Sequence, residues 1–165
     1  MRAIKFFSAA IAMAFAMNAS AKIFDDGNFT VNANVGSIAT VGGFGLGVGY
    51  QTEVYSNEWL TLNWDVLHIE WDAPFNSPGD WNQLDFKTGV RAFSPSFASD
   101  HLRAYTNLDM GYVLGLAKGP FVSSAFGLTW GAGIQYNEKW SLGYTLQYET
   151  ADKSKNHFAT IAYTF

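Results

Sequence analysis

The chain has 165 residues, a formal charge of −4 at neutral pH and no cysteine. That length suits one domain; the acidic balance argues against a nucleic-acid partner, and the missing thiols exclude a disulfide scaffold. Aromatic residues make up 17 % of the chain and charged ones only 15 %, an odd balance for a soluble domain.

Residues 1–21 read as a secretory signal. Arg2 and Lys5 give a positive start, residues 6–17 are apolar apart from Ser8, and Ala19-Ser20-Ala21 is a small-x-small cleavage site. The apolar run is about 12 residues, short of the roughly 20 that a membrane helix needs. Cleavage leaves residues 22–165 as one domain, with eight basic residues against fourteen acids and a charge of −6. No stretch of that domain resembles a transmembrane helix. If it enters a membrane it does so as a closed barrel, because only helices and barrels satisfy their backbone groups in lipid.

From residue 29 onward the chain alternates. Residues 29–35 set Phe29, Val31, Ala33 and Val35 against Thr30, Asn32 and Asn34, and 36–43 turn. Residues 44–54 set Phe44, Leu46, Val48, Tyr50 and Val54 against glycines, Gln51 and Glu53, followed by a turn at 55–58. Residues 60–66 set Leu60, Leu62, Trp64 and Val66 against Thr61, Asn63 and Asp65. There the phase flips, since Leu67, Ile69 and Trp71 become the apolar set; either an extra residue in a bulge or a strand leaving the bilayer and exposing a different face does this. A loop at 72–80 contains Pro74, Pro78 and Gly79.

Residues 84–92 and 102–112 alternate in the same way around a turn at 94–100, with Asp85, Lys87, Arg91, Arg103 and Asp109 on the polar row. A loop at 113–120 leads to 126–136 and, across a tight turn at 137–139, to 140–150, whose polar row ends in Glu149. After a loop at 151–156 comes the last segment, 157–165. Ala159, Ile161, Tyr163 and the terminal Phe165 form its oily row, and Thr160, Ala162 and Thr164 the row between.

This closing segment resembles the last strand of a bacterial outer-membrane β-barrel. With the signal peptide and eight segments of roughly ten residues, the mature chain resembles the small OmpX/Ail-like and opacity-protein-like barrels. The resemblance implies an all-β fold, an eight-stranded antiparallel up-and-down transmembrane β-barrel. It also implies localisation in the bacterial outer membrane and a structural or surface-contact role without catalysis. Ile161, Tyr163 and Phe165 would be the signal read by the barrel assembly machinery. Further partners would be outer-membrane lipid, lipopolysaccharide and a host or cell-surface protein. Trp71, Phe75 and Trp81, in the long aromatic stretch 67–81, are the candidates for surface contact, as a sheet edge that pairs with a partner strand.

A soluble lipocalin-like barrel would turn the apolar row inward instead. The polar row argues against that, being rich in Gly, Thr, Asn and Gln rather than in the Lys and Glu of a wetted surface. Its charges, Glu53, Asp65, Asp85, Lys87, Arg91, Arg103, Asp109 and Glu149, predict a polar lumen closed by ion pairs. Glu53 is expected to pair with Arg91 or Arg103, and Asp65 or Asp85 with Lys87. Inward glycines, among them Gly45, Gly47, Gly131 and Gly143, would leave room for the long charged chains, because eight strands enclose only enough space for side chains. A narrow pore for ions or small solutes is the alternative.

No motif points to catalysis or to a cofactor. The glycines at 43–49 alternate and lack the Lys-Ser/Thr and helix of a phosphate loop. His68, His101 and His157 have no metal-ligand spacing. Similar small barrels include lipid A deacylases and palmitoyltransferases; a site of that kind would need His157 beside Ser154 and an acid such as Glu149.

Overall fold

The computed structural model describes residues 27–76, 81–98, 100–117, 123–151 and 153–165. The expected signal segment lies outside them, as do residues 77–80 and 118–120 of the expected loops. Eight strands follow in order: β1 (Gly27–Ile38), β2 (Val41–Ser56), β3 (Thr61–Pro74), β4 (Trp81–Phe93), β5 (Leu102–Ala117), β6 (Ser123–Tyr136), β7 (Trp140–Glu149) and β8 (Lys155–Thr164). Each pairs antiparallel with its sequence neighbours, and β8 returns to β1, so the sheet closes into a barrel. Closure removes the edges that would otherwise expose unpaired backbone groups.

The strands are longer than the alternation alone suggests. The expected turn at 36–43 is a two-residue hairpin at Ala39 and Thr40, with Ile38 opposite Val41. Ala39 has a positive φ of 55°, and its N–H donates to Asn156 Oδ1 at 2.7 Å. The buried amide of Asn156 thereby ties the β1–β2 hairpin to β8. The phase flip in β3 is a bulge: Gln51 faces Asp65 but Tyr50 faces Leu67, so Val66 is the extra residue. The same residue breaks the register with β4 between Asp65 and His68. A second irregularity, at Val54 in β2, falls near the turn into β3.

The barrel is inverted relative to a soluble protein. Among the described residues, twenty buried residues are polar or charged and eight are apolar. Large apolar side chains such as Trp64, Leu67, Val90, Leu108, Met110, Trp130 and Leu142 are exposed on the outer wall. Such a surface is stable only against hydrocarbon. Aromatics cluster at both ends. Tyr163 lies edge-on to Trp140 and Phe165, at ring distances of 4.8 and 4.9 Å, at the end that carries the C-terminus. Tyr112 meets Phe126 at 6.4 Å towards the other end.

Candidate functional site

The lumen is where the chemistry of this chain collects. Period-two alternation turns every second side chain inward, and the Val66 bulge resets the phase so that His68, Glu70 and Asp72 follow Asn63 and Asp65 into the interior. Small residues opposite leave the room. At Gly45 the place of a β-carbon is taken by the Asp72 carboxylate, and at Gly131 by the Asn107 amide. The ring of Tyr105 fills the space beside Gly133 and Gly143.

The far half of the lumen, away from the termini, holds two polar clusters side by side. Asn34 Nδ2 donates to Glu70 Oε1 at 2.5 Å. Lys87 Nζ lies 3.3 Å from Glu70 Oε2 and 3.4 Å from Asp85 Oδ2. Gln147 Nε2 donates to the same Asp85 oxygen at 2.7 Å. Gln83 and Asn156 both donate to Glu149 Oε1, at 2.7 and 2.9 Å. Together their contacts run across β1, β3, β4, β7 and β8, and Asp72, Asp85 and Asn156 have no exposed surface at all. Ile38, Val113 and Phe158 are buried on inward positions towards the same end. Charges removed from water in this way hold only when they are paired and hydrogen-bonded.

The middle of the barrel holds a cavity of about 30 Å³ among Asn32, His68, Glu70, Arg91, Tyr105 and Asp109, enough for a water or two. His68 Nε2 is 2.9 Å from Asn32 Oδ1 and 3.4 Å from Glu70 Oε2. Towards the termini, Arg91 pairs with Asp65 at 3.5 Å and lies 5.4 Å from the centre of the Tyr105 ring. Arg103 stacks over Phe93 at 4.3 Å, and its Nε donates to Gln135 Oε1 at 2.8 Å. Beyond it opens a recess of about 250 Å³ walled by Gln51, Glu53, Asn63, Glu138, Lys139 and Thr164.

The structure brings together Asp85 with Lys87 and Asp65 with Arg91. It corrects the expected pairing of Glu53: this residue is exposed in the wall of the terminal recess, while Arg91 takes Asp65 and Arg103 takes Glu138, 3.5 Å away. Asp109 receives Asn107 Nδ2 at 2.5 Å, and among the described residues no cation lies within ion-pair distance of it. Glu149 is bonded to amides, not to a cation. Glu70, the partner of Lys87, Asn34 and His68, is the principal residue that the sequence reading left out. So is Asp72, whose carboxylate oxygen lies within 4.8 Å of oxygens of Glu70 and Asp85. The signal for both was the phase flip, followed through to its inward set.

Outside the barrel, Trp71 and Phe75 pack on Phe44, at ring distances of 5.5 and 5.7 Å, and Phe75 N donates to Gly42 O. They lie along the wall instead of forming a free sheet edge: β3 is paired with β2 as far as Pro74 and with β4 as far as Asp72. Trp81, at the start of β4, is exposed. His157 also faces outward and hydrogen-bonds the Tyr144 hydroxyl through Nδ1, whereas Glu149 turns into the lumen; the two do not meet. Ile161 and Phe165 are exposed on the outer wall, and Phe165 N donates to Phe29 O at 2.8 Å, fixing the last residue to β1.

No family profile and no curated protein matches the sequence. Solved structures do. Neisserial surface protein A is similar with a TM-score of 0.62 at 11 % identity, over 84 % of this chain and 94 % of that one. The outer membrane enzyme PagL is similar with a TM-score of 0.56 at 16 % identity, over 82 % and 98 %. The N-terminal barrel of Pseudomonas aeruginosa OprF follows at 0.50 and 12 %, over 85 % and 98 %. At these identities the likeness is one of fold, and it agrees with the lipid-type outer wall and polar interior: the chain is a small eight-stranded β-barrel of the bacterial outer-membrane kind.

Proposed function

We propose that this protein is a structural and surface-contact barrel of the outer membrane, with a lumen sealed by its own side chains. The observation that supports this best is the far half of the lumen, where Asp72, Gln83, Asp85, Gln147 and Asn156 are all buried to 1 % or less. A solute path would have to break the Glu70–Lys87–Asp85 contacts and the Gln83–Glu149–Asn156 bonds together. Contact with outer-membrane lipid and lipopolysaccharide falls to the aromatic outer wall. Contact with a host or cell-surface protein falls to the rim around Trp71, Phe75 and Trp81. Assembly would be directed by Ile161, Tyr163 and Phe165. The test is conductance of the purified, folded barrel in a planar bilayer. Silence is the expected result. Steady discrete channels, altered by Lys87→Ala, would replace this reading with a narrow porin.

One of the similar structures is an enzyme, which raises a catalytic reading on the outer wall. His157 with the Tyr144 hydroxyl is the arrangement that would carry it. A base of this kind works when a carboxylate orients it, and the neighbouring Glu149 is committed to Gln83 and Asn156 inside the barrel. The non-catalytic reading is therefore the better supported.

A further inference from the structure

Glu70, Asp72 and Asp85 stand at the far end of the sealed network, on neighbouring strands. Each offers a carboxylate oxygen within 4.8 Å of the other two. Ligand oxygens around a calcium ion sit about 2.3–2.6 Å from it, so opposite ligands are at most about 5 Å apart. The spacing thus matches one coordination shell. All three side chains are buried, Asp72 and Asp85 completely.

A cluster of acids alone would say little. The further observation is the state of Asp72: its carboxylate is wholly enclosed, and among the described residues neither oxygen accepts a hydrogen bond from an N–H or hydroxyl donor, the Glu70 carboxylate being its close neighbour. Asp85 Oδ1 is likewise without a donor, and so are the buried amide oxygens of Gln83 and Gln147. Gln147 already holds Asp85 through its nitrogen, and Gln83 stands opposite Asp72 in the β3–β4 register. Enclosed oxygen acceptors without donors are costly unless something positive meets them. Lys87 supplies one positive charge, in ion-pair contact with Glu70 and Asp85. Three carboxylates against one ammonium leave two negative charges over, the complement of one divalent ion.

We propose that Glu70, Asp72 and Asp85 hold a divalent cation in the lumen, and that it is calcium. The donors are all hard oxygens, which excludes the soft and nitrogen-seeking metals. Magnesium keeps several of its waters, and a closed lumen has little room for them. The ion would tie β3 to β4 where both approach the outer rim.

The experiment uses the barrel purified from outer membranes in detergent. Its calcium and magnesium content is measured by elemental analysis after exhaustive dialysis. Thermal midpoints are then compared for protein unfolded in urea and refolded with EDTA or with calcium chloride, for wild type, Asp72→Asn and the surface control Glu58→Gln. About one equivalent of calcium is expected, with a midpoint about 5 °C or more above the EDTA value. Glu58→Gln should keep that difference and Asp72→Asn lose it. Metal-free wild-type protein with the same midpoint in both buffers would overturn the proposal. So would an Asp72→Asn barrel more stable than wild type in the calcium buffer, which would mean that protons and not a metal neutralise the cluster. If Asp72→Asn does not fold, the metal content and buffer dependence of wild type decide alone.

Discussion

The hydroxyl of Thr88, on the lipid face of β4, donates at 2.9 Å to the backbone carbonyl of Asp65, the residue just before the bulge in β3. The Thr88 hydroxyl oxygen in turn accepts the indole N–H of Trp64 at 3.1 Å. Where Val66 interrupts the ladder, one side chain thus serves a carbonyl and an indole that otherwise face hydrocarbon. Thr88→Val keeps the shape and removes the hydroxyl. A buried polar group left without its partner costs about 1–3 kcal/mol, and here two lose theirs. The urea midpoint of the folded barrel in detergent should fall accordingly, with an unchanged strand signal in circular dichroism.

Much of this was legible in advance. Eight segments, the inward and outward rows and the position of the phase flip follow from the period of two, because hydrocarbon on one side and a narrow polar lumen on the other penalise every slip. What alternation does not encode is distance along the barrel. Glu53 and Asp65 share an inward row, yet one ends in the exposed recess and the other against Arg91, because tilt and stagger decide which levels meet. Phe93 and Phe158 face inward, against the polar rule for the lumen. Phe93 carries the Arg103 guanidinium, and Phe158 occupies a fully buried inward place opposite Gly36. Neither role is visible without the closed register.

Two glycines separate space from texture. A β-carbon at Gly111 would collide with the backbone carbonyl of Phe86 on β4, which cannot step aside without breaking the ladder. At Gly49 the nearest atom to an added carbon is 3.5 Å away, an ordinary contact. Gly111→Ala should therefore destabilise by about 1–3 kcal/mol through overpacking. Gly49→Ala should be neutral or stabilise by up to about 1 kcal/mol, by restricting the unfolded chain. Urea titration of both variants side by side checks the contrast; no loss at either position would mean that the barrel repacks freely at both levels.

Lys87 is the positive centre of the far network, 5 % exposed and shared between Glu70 and Asp85. Removing it as Lys87→Met strands two buried carboxylates, a change that typically costs about 3–5 kcal/mol. Glu70→Gln in the same chain removes one of them and leaves an amide for Asn34. The double variant should then be less destabilised than the two single losses summed, by about 0.5–3 kcal/mol. Denaturant midpoints of the four proteins, all measured in EDTA, complete the cycle. Strict additivity would show that Lys87 and Glu70 are neighbours without being coupled.

The terminal residue offers a way to divide assembly from stability. Phe165 is held by a backbone bond to Phe29 and an edge contact with Tyr163, both at the exposed rim, where its ring is 38 % accessible. Little apolar area is lost from the folded barrel if Phe165 becomes Ala, and at about 25 cal/mol per Å² the loss of stability should stay near 1 kcal/mol. If Ile161, Tyr163 and Phe165 are instead read as a signal by the assembly machinery, the same change should act earlier, on arrival in the membrane. The comparison is between refolding yield in detergent and the heat-modifiable, folded fraction in outer membranes of cells expressing the variant. Near-normal refolding with a severalfold drop in the membrane fraction is the expected result. Parallel losses in both would make Phe165 a structural residue of the β1–β8 seam and nothing more.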